Sequence, residues 1–271
     1  MTLSILTLNL WHDSGPWDQR RDRIQEWVER LDPDLIGFQE ALRGESFDQV
    51  ASLFEEGAYH LDFVHASSFW GERAASFGNA IASRWPIVDR EELRLPDRGD
   101  GETRAALSVT VEAPVGTVSF TCTHLHWRLH HGEVRERQVV SLADFVLRRR
   151  PKEGFPPIVV GDFNADPESD EIRYMTGHHS IDGKRVFFHD AWRVVGSEGS
   201  GMTWSNRNPY TQTAFEPDRR IDYIFAGYPL ASGVGVFERC ELVCNDAQEC
   251  VWPSDHFGLY AELRTEPRGE G

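Results

Sequence analysis

Short apolar runs with strand spacing recur along the chain, interrupted by two longer stretches whose apolar residues return every three or four positions. Leu3 to Leu10 reads as a first strand ending at Asn9-Leu10-Trp11. From Asp18 to Leu31, the residues Ile24, Trp27, Val28 and Leu31 form the stripe of an amphipathic helix, which Pro33 stops. Asp34 to Glu40 reads as a second strand ending on the Glu40 carboxylate. Ser46 to Glu56 is expected to be a short helix capped by Ser46, Tyr59 to His65 a strand, and the polar, aromatic Ser67 to Phe77 a surface loop. Gly78 to Ser83 and Ile87 to Leu95 read as strands on either side of Trp85-Pro86. Arg104 to Ala113 and Thr117 to His126 flank Pro114-Val115-Gly116 as a hairpin.

The second long helix runs from Gly132 to Arg149, with Val134, Gln138, Leu142, Phe145 and Val146 on one face and Pro151 beyond its end. Ile158-Val159-Val160 is a β-branched run expected in a buried strand. Short helical segments follow at Ser169 to Met175 and His189 to Val195, then a loop from Gly199 to Phe215. Strands are expected at Arg220 to Phe225, Val234 to Cys244 and Phe257 to Leu263. Strands outnumber helices, and each half carries one long helix between strands. That suits two packed sheets with helices outside them. No repeat or low-complexity linker divides the chain, so a single domain is expected over 1–265, with a polar tail at 266–271.

The 44 acidic residues against 28 basic give a net charge of -16, which argues against holding nucleic acid mainly by non-specific phosphate attraction. It leaves a nuclease open, because bound cations and local basic groups can offset that field. No apolar run approaches the roughly 18 residues of a membrane span, and no secretion signal opens the sequence, so a cytoplasmic, monomeric protein is the expectation. Cys122 reads as a small buried hydrophobe. Cys240, Cys244 and Cys250 form no CxxC pair, although a bond from either of the first two to Cys250 would span only a turn.

Polar residues gather where strands are expected to end: Asn9, Glu40, His124, Asp162, Asn164, Asp222, Asp255 and His256. Asp162 and Asn164 lie two apart on an extended backbone, so both can reach one water or one phosphate. Each alone has an ordinary structural explanation, such as an Asx turn or a satisfied core histidine. Met202 to Arg207 concentrates stacking and hydrogen-bonding groups, among them Trp204, Asn206 and Arg207.

NLW, GFQE, GNAIASRWPI, THLHW, GDFNADP, RIDYIF and PSDHFGL resemble, in order and spacing, the motifs of the endonuclease/exonuclease/phosphatase superfamily, from about Leu3 to Leu263. The resemblance implies a four-layer α-β-β-α sandwich and Mg²⁺- or Mn²⁺-dependent hydrolysis of a phosphoester. It implies that Glu40 is the principal metal ligand, that Asn9 and Asp255 complete or support the coordination, and that Asp162 orients or deprotonates the attacking water. It further implies that Asn164 and His124 contact the phosphate or that water and that Asp222 pairs with His256, leaving the role of base open between Asp162 and His256. Arg104, His126, Trp204, Asn206 and Arg207 are the expected substrate contacts. Trp11 stands where DNA-repair members carry an acidic residue, which weakens an abasic-site endonuclease. THLHW looks more like the pattern of neutral sphingomyelinases. A small or lipid-like phosphoester is therefore the leading expected substrate, with DNA or RNA as the alternative and a non-catalytic binding module as a third reading.

Overall fold

A computed structural model describes residues 1–70, 74–152 and 154–268. The strands are β1 (Thr2–Asn9), β2 (Leu35–Arg43), β3 (His60–Trp70), β4 (Ala74–Ser83), β5 (Ile87–Arg94), β6 (Ala105–Ala113), β7 (Gly116–His124), β8 (Ile158–Asp162), β9 (His189–Asp190), β10 (Asp222–Ala226), β11 (Phe237–Val243) and β12 (Gly258–Arg264). The helices are α1 (Trp17–Leu31), α2 (Gly132–Arg149), α3 (Asp170–Met175) and α4 (Ala191–Val195). The strands form two mixed six-stranded sheets, in the orders β11-β12-β1-β2-β4-β3 and β5-β6-β7-β8-β10-β9.

One apolar cluster fills the space between the sheets, with Leu3, Ile5 and Ile81 from the first meeting Val109, Phe120 and Val160 from the second. A second cluster seats Leu142, Phe145 and Val146 of α2 on the outside of the second sheet, and a third seats Ile24, Trp27 and Val28 of α1 on the first. These layers are the α-β-β-α sandwich expected from the sequence. Alternating burial explains the clean reading of α1 and α2, since each long helix covers one sheet face with the stripe that its periodicity marks.

Three local expectations are corrected. Residues 46–56 form a bridge and a single 3₁₀ turn (Ala51–Leu53) rather than a helix, because the Asp48 side chain takes the Ala51 amide and the Gln49 amide bonds back to Leu42. Residues 67–70 and 74–77 extend β3 and β4, with Ser67 opposite Phe77, instead of forming a loop; 71–73 lie outside the described residues. Glu40 does not end its strand. It occupies an irregularity in β2, where pairing with β4 jumps between Phe38 and Ala41, and the strand resumes to Arg43. All four cysteines are free. Among the described residues, no helix is long and apolar enough to cross a membrane.

Candidate active site

Register builds the first half of the site. β7 and β8 run parallel with His124 beside Asp162, and β10 runs antiparallel with Asp222 opposite Asp162. His124, Asp162 and Asp222 therefore form one rank across three neighbouring strands, all pointing to one face. Gly161 makes the rank possible: at φ 147° its added Cβ would lie 1.9 Å from the Thr123 carbonyl oxygen, so any side chain there would push β7 away.

The buried Asp162 carboxylate is held at both oxygens. Oδ1 accepts from the Asn164 amide at 2.8 Å, and Oδ2 accepts from Asn9 Nδ2 at 3.1 Å. The Asn164 side chain donates to the Leu125 carbonyl at 3.1 Å and lies 3.1 Å from His124 Nε2. Arg104 Nη1 approaches His124 Nδ1 at 3.0 Å, while Arg104 Nη2 donates to Glu102 at 2.8 Å. Burial, then the Arg104 charge, pushes His124 well below the ordinary histidine range, so its ring is neutral.

His256 reaches this rank from the loop before β12, its Nδ1 2.9 Å from Asp222 Oδ2 and its Nε2 3.9 Å from Asp162 Oδ2. Burial alone would strip its proton, but Asp222 and then Asp255 more than offset that cost and hold the ring well above its usual value. Asp162 is pushed up to about 7, first by burial and then by Asp222, against the opposing effects of His256, the Asn164 amide and Asn9. Asp162, Asp222 and His256 bring their ligand atoms within 4.8 Å of one another. These carboxylates favour the imidazolium form of His256, which donates hydrogen bonds and has no lone pair for a metal.

The second half lies toward β1, β2 and the 253–256 loop. Asp255 is pushed up to about 7, mainly by burial and also by the Glu40 charge, with partial relief from His256 and the Ser254 hydroxyl. Among the described residues, no donor meets the Glu40 carboxylate side chain. Asp255, whose ionisation the Glu40 charge makes costlier, and the half-buried Glu40 are oxygen donors that fit a hard divalent cation. Asn9 reinforces this half through Oδ1, which accepts from the Trp11 amide at 2.9 Å and keeps a second lone pair.

A cleft of about 530 Å³ contains Glu40, Arg104, His124, Asp162, Asn164, Trp204, Asp255 and His256, with Trp11, Phe77 and Trp127 adding aromatic walls. Trp11, His12, Glu40 and Asn164, which line it, all have positive φ (54°, 36°, 55° and 50°). Such backbone costs on the order of 1 kcal/mol or more per non-glycine residue, and its concentration here marks a site where geometry outweighs local stability. Trp204 presents its ring edge-on to His256, centroids 5.0 Å apart.

Three expected substrate contacts fall outside the lining. His126 is fully buried behind Arg104, its Nε2 3.4 Å from Glu102, because it follows β7 inward rather than toward the cleft. Asn206 spends its backbone and side-chain donors on Asp218 and the Glu216 carbonyl, closing its own loop. Arg207 lies over the Phe257 ring at 5.8 Å. Tyr210 stacks on Trp11 at 4.8 Å.

Two arginines escape a reading by motif. Arg219 lines the cleft and donates to the Asn164 carbonyl at 3.1 Å. Arg20, fully buried, donates to the carbonyls of Leu10, Trp11, His12 and Ser14 and, at 3.0 Å, to Pro253. It thereby ties the loop after Asn9 to the loop that carries Asp255. The signal was present: Arg20 stands four places before Ile24, on the apolar stripe of α1, where an unpaired charge could not be buried.

A sandwich of two six-stranded sheets in this arrangement has counterparts among solved structures. D. rerio TDP2 complexed with a single-strand DNA product superposes with a TM-score of 0.75 at 19% identity, covering 97% of this chain and 99% of that one. The human Nocturnin catalytic domain with bound sulfate gives 0.71 at 18% identity, covering 97% and 94%. In sequence, Homo sapiens Nocturnin is 22% identical over 94% of this chain and 60% of its own length, so the chain spans about three fifths of such curated relatives. The Endonuclease/Exonuclease/phosphatase family profile matches residues 6–256, and the chain belongs to that family.

Proposed function

We propose that this chain is a divalent-metal-dependent phosphoester hydrolase acting on a small or lipid-like phosphoester. The observation that carries the reading is the sharing of one cleft by two dissimilar groups: a hydrogen-bonded rank ending in Asp162, and the under-compensated carboxylates Glu40 and Asp255. Glu40 and Asp255, supported by Asn9, would hold Mg²⁺ or Mn²⁺, whose chemistry there is neutralisation of charge on phosphoryl oxygens. Asp162, pinned by Asn9 and the Asn164 amide, is placed to orient a water and take its proton. Its elevated value near 7 matches that task at neutral pH. The pull of Asp222 on the His256 proton supports His256 as the donor toward the phosphoryl group and Asp162 as the base. Arg104, which lines the cleft beside His124, supplies a further positive charge for the phosphoryl group. The aromatic walls and the net acidic charge favour a compact substrate over a long polyanion.

The test is a panel of small phosphodiesters, phosphomonoesters, sphingomyelin and oligonucleotides, each with Mg²⁺, Mn²⁺ or chelator. Chelator-sensitive turnover of a small or lipid phosphoester supports the proposal. Salt-sensitive cleavage of oligonucleotides alone would replace it with a nuclease, and absence of metal-dependent turnover across the panel would leave a binding module.

A further inference from the structure

Behind the Arg104 wall, outside the cleft, three segments bring metal-ligating side chains together. Asp100 comes from the loop between β5 and β6, His126 from the loop leaving β7, and His131 from the residue preceding α2. Their ligand atoms all lie within 4.8 Å of one another. His126 Nε2 and His131 Nδ1 are 3.3 Å apart. Two nitrogens bound at about 2.0–2.1 Å to one tetrahedral ion are separated by about 3.3–3.4 Å, so the rings already stand at the spacing of co-ligands.

We propose that Asp100, His126 and His131 form a second metal site, for a borderline cation of the Zn²⁺ class. Two imidazoles and one carboxylate suit such an ion and disfavour Mg²⁺, which prefers oxygen donors. His126 is buried and rotationally fixed, His131 half-buried and Asp100 exposed, which leaves an entry path and a fourth position for water. Two neighbouring cations are already matched, Arg98 with Glu133 and Arg104 with Glu102, and Arg128 lies over the Trp127 ring. Ligation through Nε2 puts the proton on Nδ1 of His126 and forfeits its 3.2 Å contact with the Arg128 amide, a loss that a metal–nitrogen bond outweighs. Glu102 stands between this site and the cleft, one oxygen 3.4 Å from His126 Nε2 and the other taken by Arg104. An ion here would therefore sit one side chain behind the cleft wall.

The proposal is independent of the cleft chemistry and is tested on the full chain after chelator treatment. Zn²⁺ is titrated by calorimetry and Co²⁺ by visible absorption, in the wild type and in the His131→Ala, Asp100→Asn and Glu40→Gln variants. The wild type and Glu40→Gln should share one high-affinity event and the visible band of tetrahedral Co²⁺. His131→Ala and Asp100→Asn should weaken that event by about tenfold or more with an unchanged circular dichroism spectrum. If His131→Ala fails to fold, Asp100→Asn decides alone, since its side chain is exposed. No such event in the wild type, equal titrations in all four proteins, or loss only in Glu40→Gln would overturn the site.

Discussion

On the rim supplied by β7, β8 and β10, Asp162 takes hydrogen bonds at both oxygens, Asn164 and His124 brace each other, and Asp222 holds His256. On the rim supplied by β1, β2 and the 253–256 loop, Asp255 receives one side-chain hydroxyl and Glu40 receives no donor among the described residues. Both rims place carboxylates in poor solvent; the first directs more donors at its own, although Asp222 Oδ1 is buried without one, while Asp255 is relieved only by the His256 and Arg20 charges and the Ser254 hydroxyl. The first rim is preorganised by the fold, whereas the second is the one that the proposed cation would complete.

Substitutions should separate these halves. Asp162→Ala should lower kcat by about 10²–10⁴ at every Mg²⁺ concentration, while Glu40→Ala should cause a comparable loss that excess ion partly restores. Steady-state kinetics against Mg²⁺ concentration checks this, and identical ion dependence in the two variants would erase the contrast. Stability should divide the other way. Asp222→Ala leaves the buried His256 Nδ1 without its acceptor and should cost about 1–3 kcal/mol in denaturant unfolding, whereas Glu40→Ala, which relieves Asp255, should leave the midpoint unchanged or higher.

The acidic rim should also respond to pH. Asp255 must lose its proton to bind a cation, and burial raises its pKa to about 7. Mg²⁺ affinity should be flat above that value and fall below it by up to about tenfold per pH unit as the proton competes. Calorimetry from pH 5.5 to 8 measures the slope, and a pH-independent constant would move the ion elsewhere. The smallest effect is expected at Arg207→Ala. With Arg207 exposed outside the cleft, KM should stay within about twofold, the range of ordinary surface changes. A larger rise would bring that loop back into the substrate path.

The preorganised rim was the more legible in the sequence. Ile158-Val159-Val160 marks a buried strand whatever its neighbours do, and strand alternation then carries Asp162 to the rim. The long helices were equally plain, with α2 spanning Gly132–Arg149 as its stripe indicates. Glu40 was located by motif but misread in conformation, because nothing local distinguishes a strand that ends from one that bulges and resumes. The 46–56 segment failed for a related reason: its helical spacing is overridden by Asp48 and Gln49 bonding to backbone groups. Arg219 and Arg20 went unseen because their partners are mostly carbonyls or residues far along the chain. For Arg20, a cation on an apolar stripe was the available clue.

The pairing of Asp222 with Asp162 leaves the rank unusually exposed to changes of length. A residue gained or lost within β8 or β10 slides one strand past the other and turns the displaced carboxylate toward α2, on the opposite side of the sheet. Such a lesion can leave a folded, inert protein, with no partial adjustment to recover the lost group. Size variation compatible with activity should accordingly be confined to the connections, and a length change inside either strand would be a sensitive sign that a homologous chain has given up the reaction.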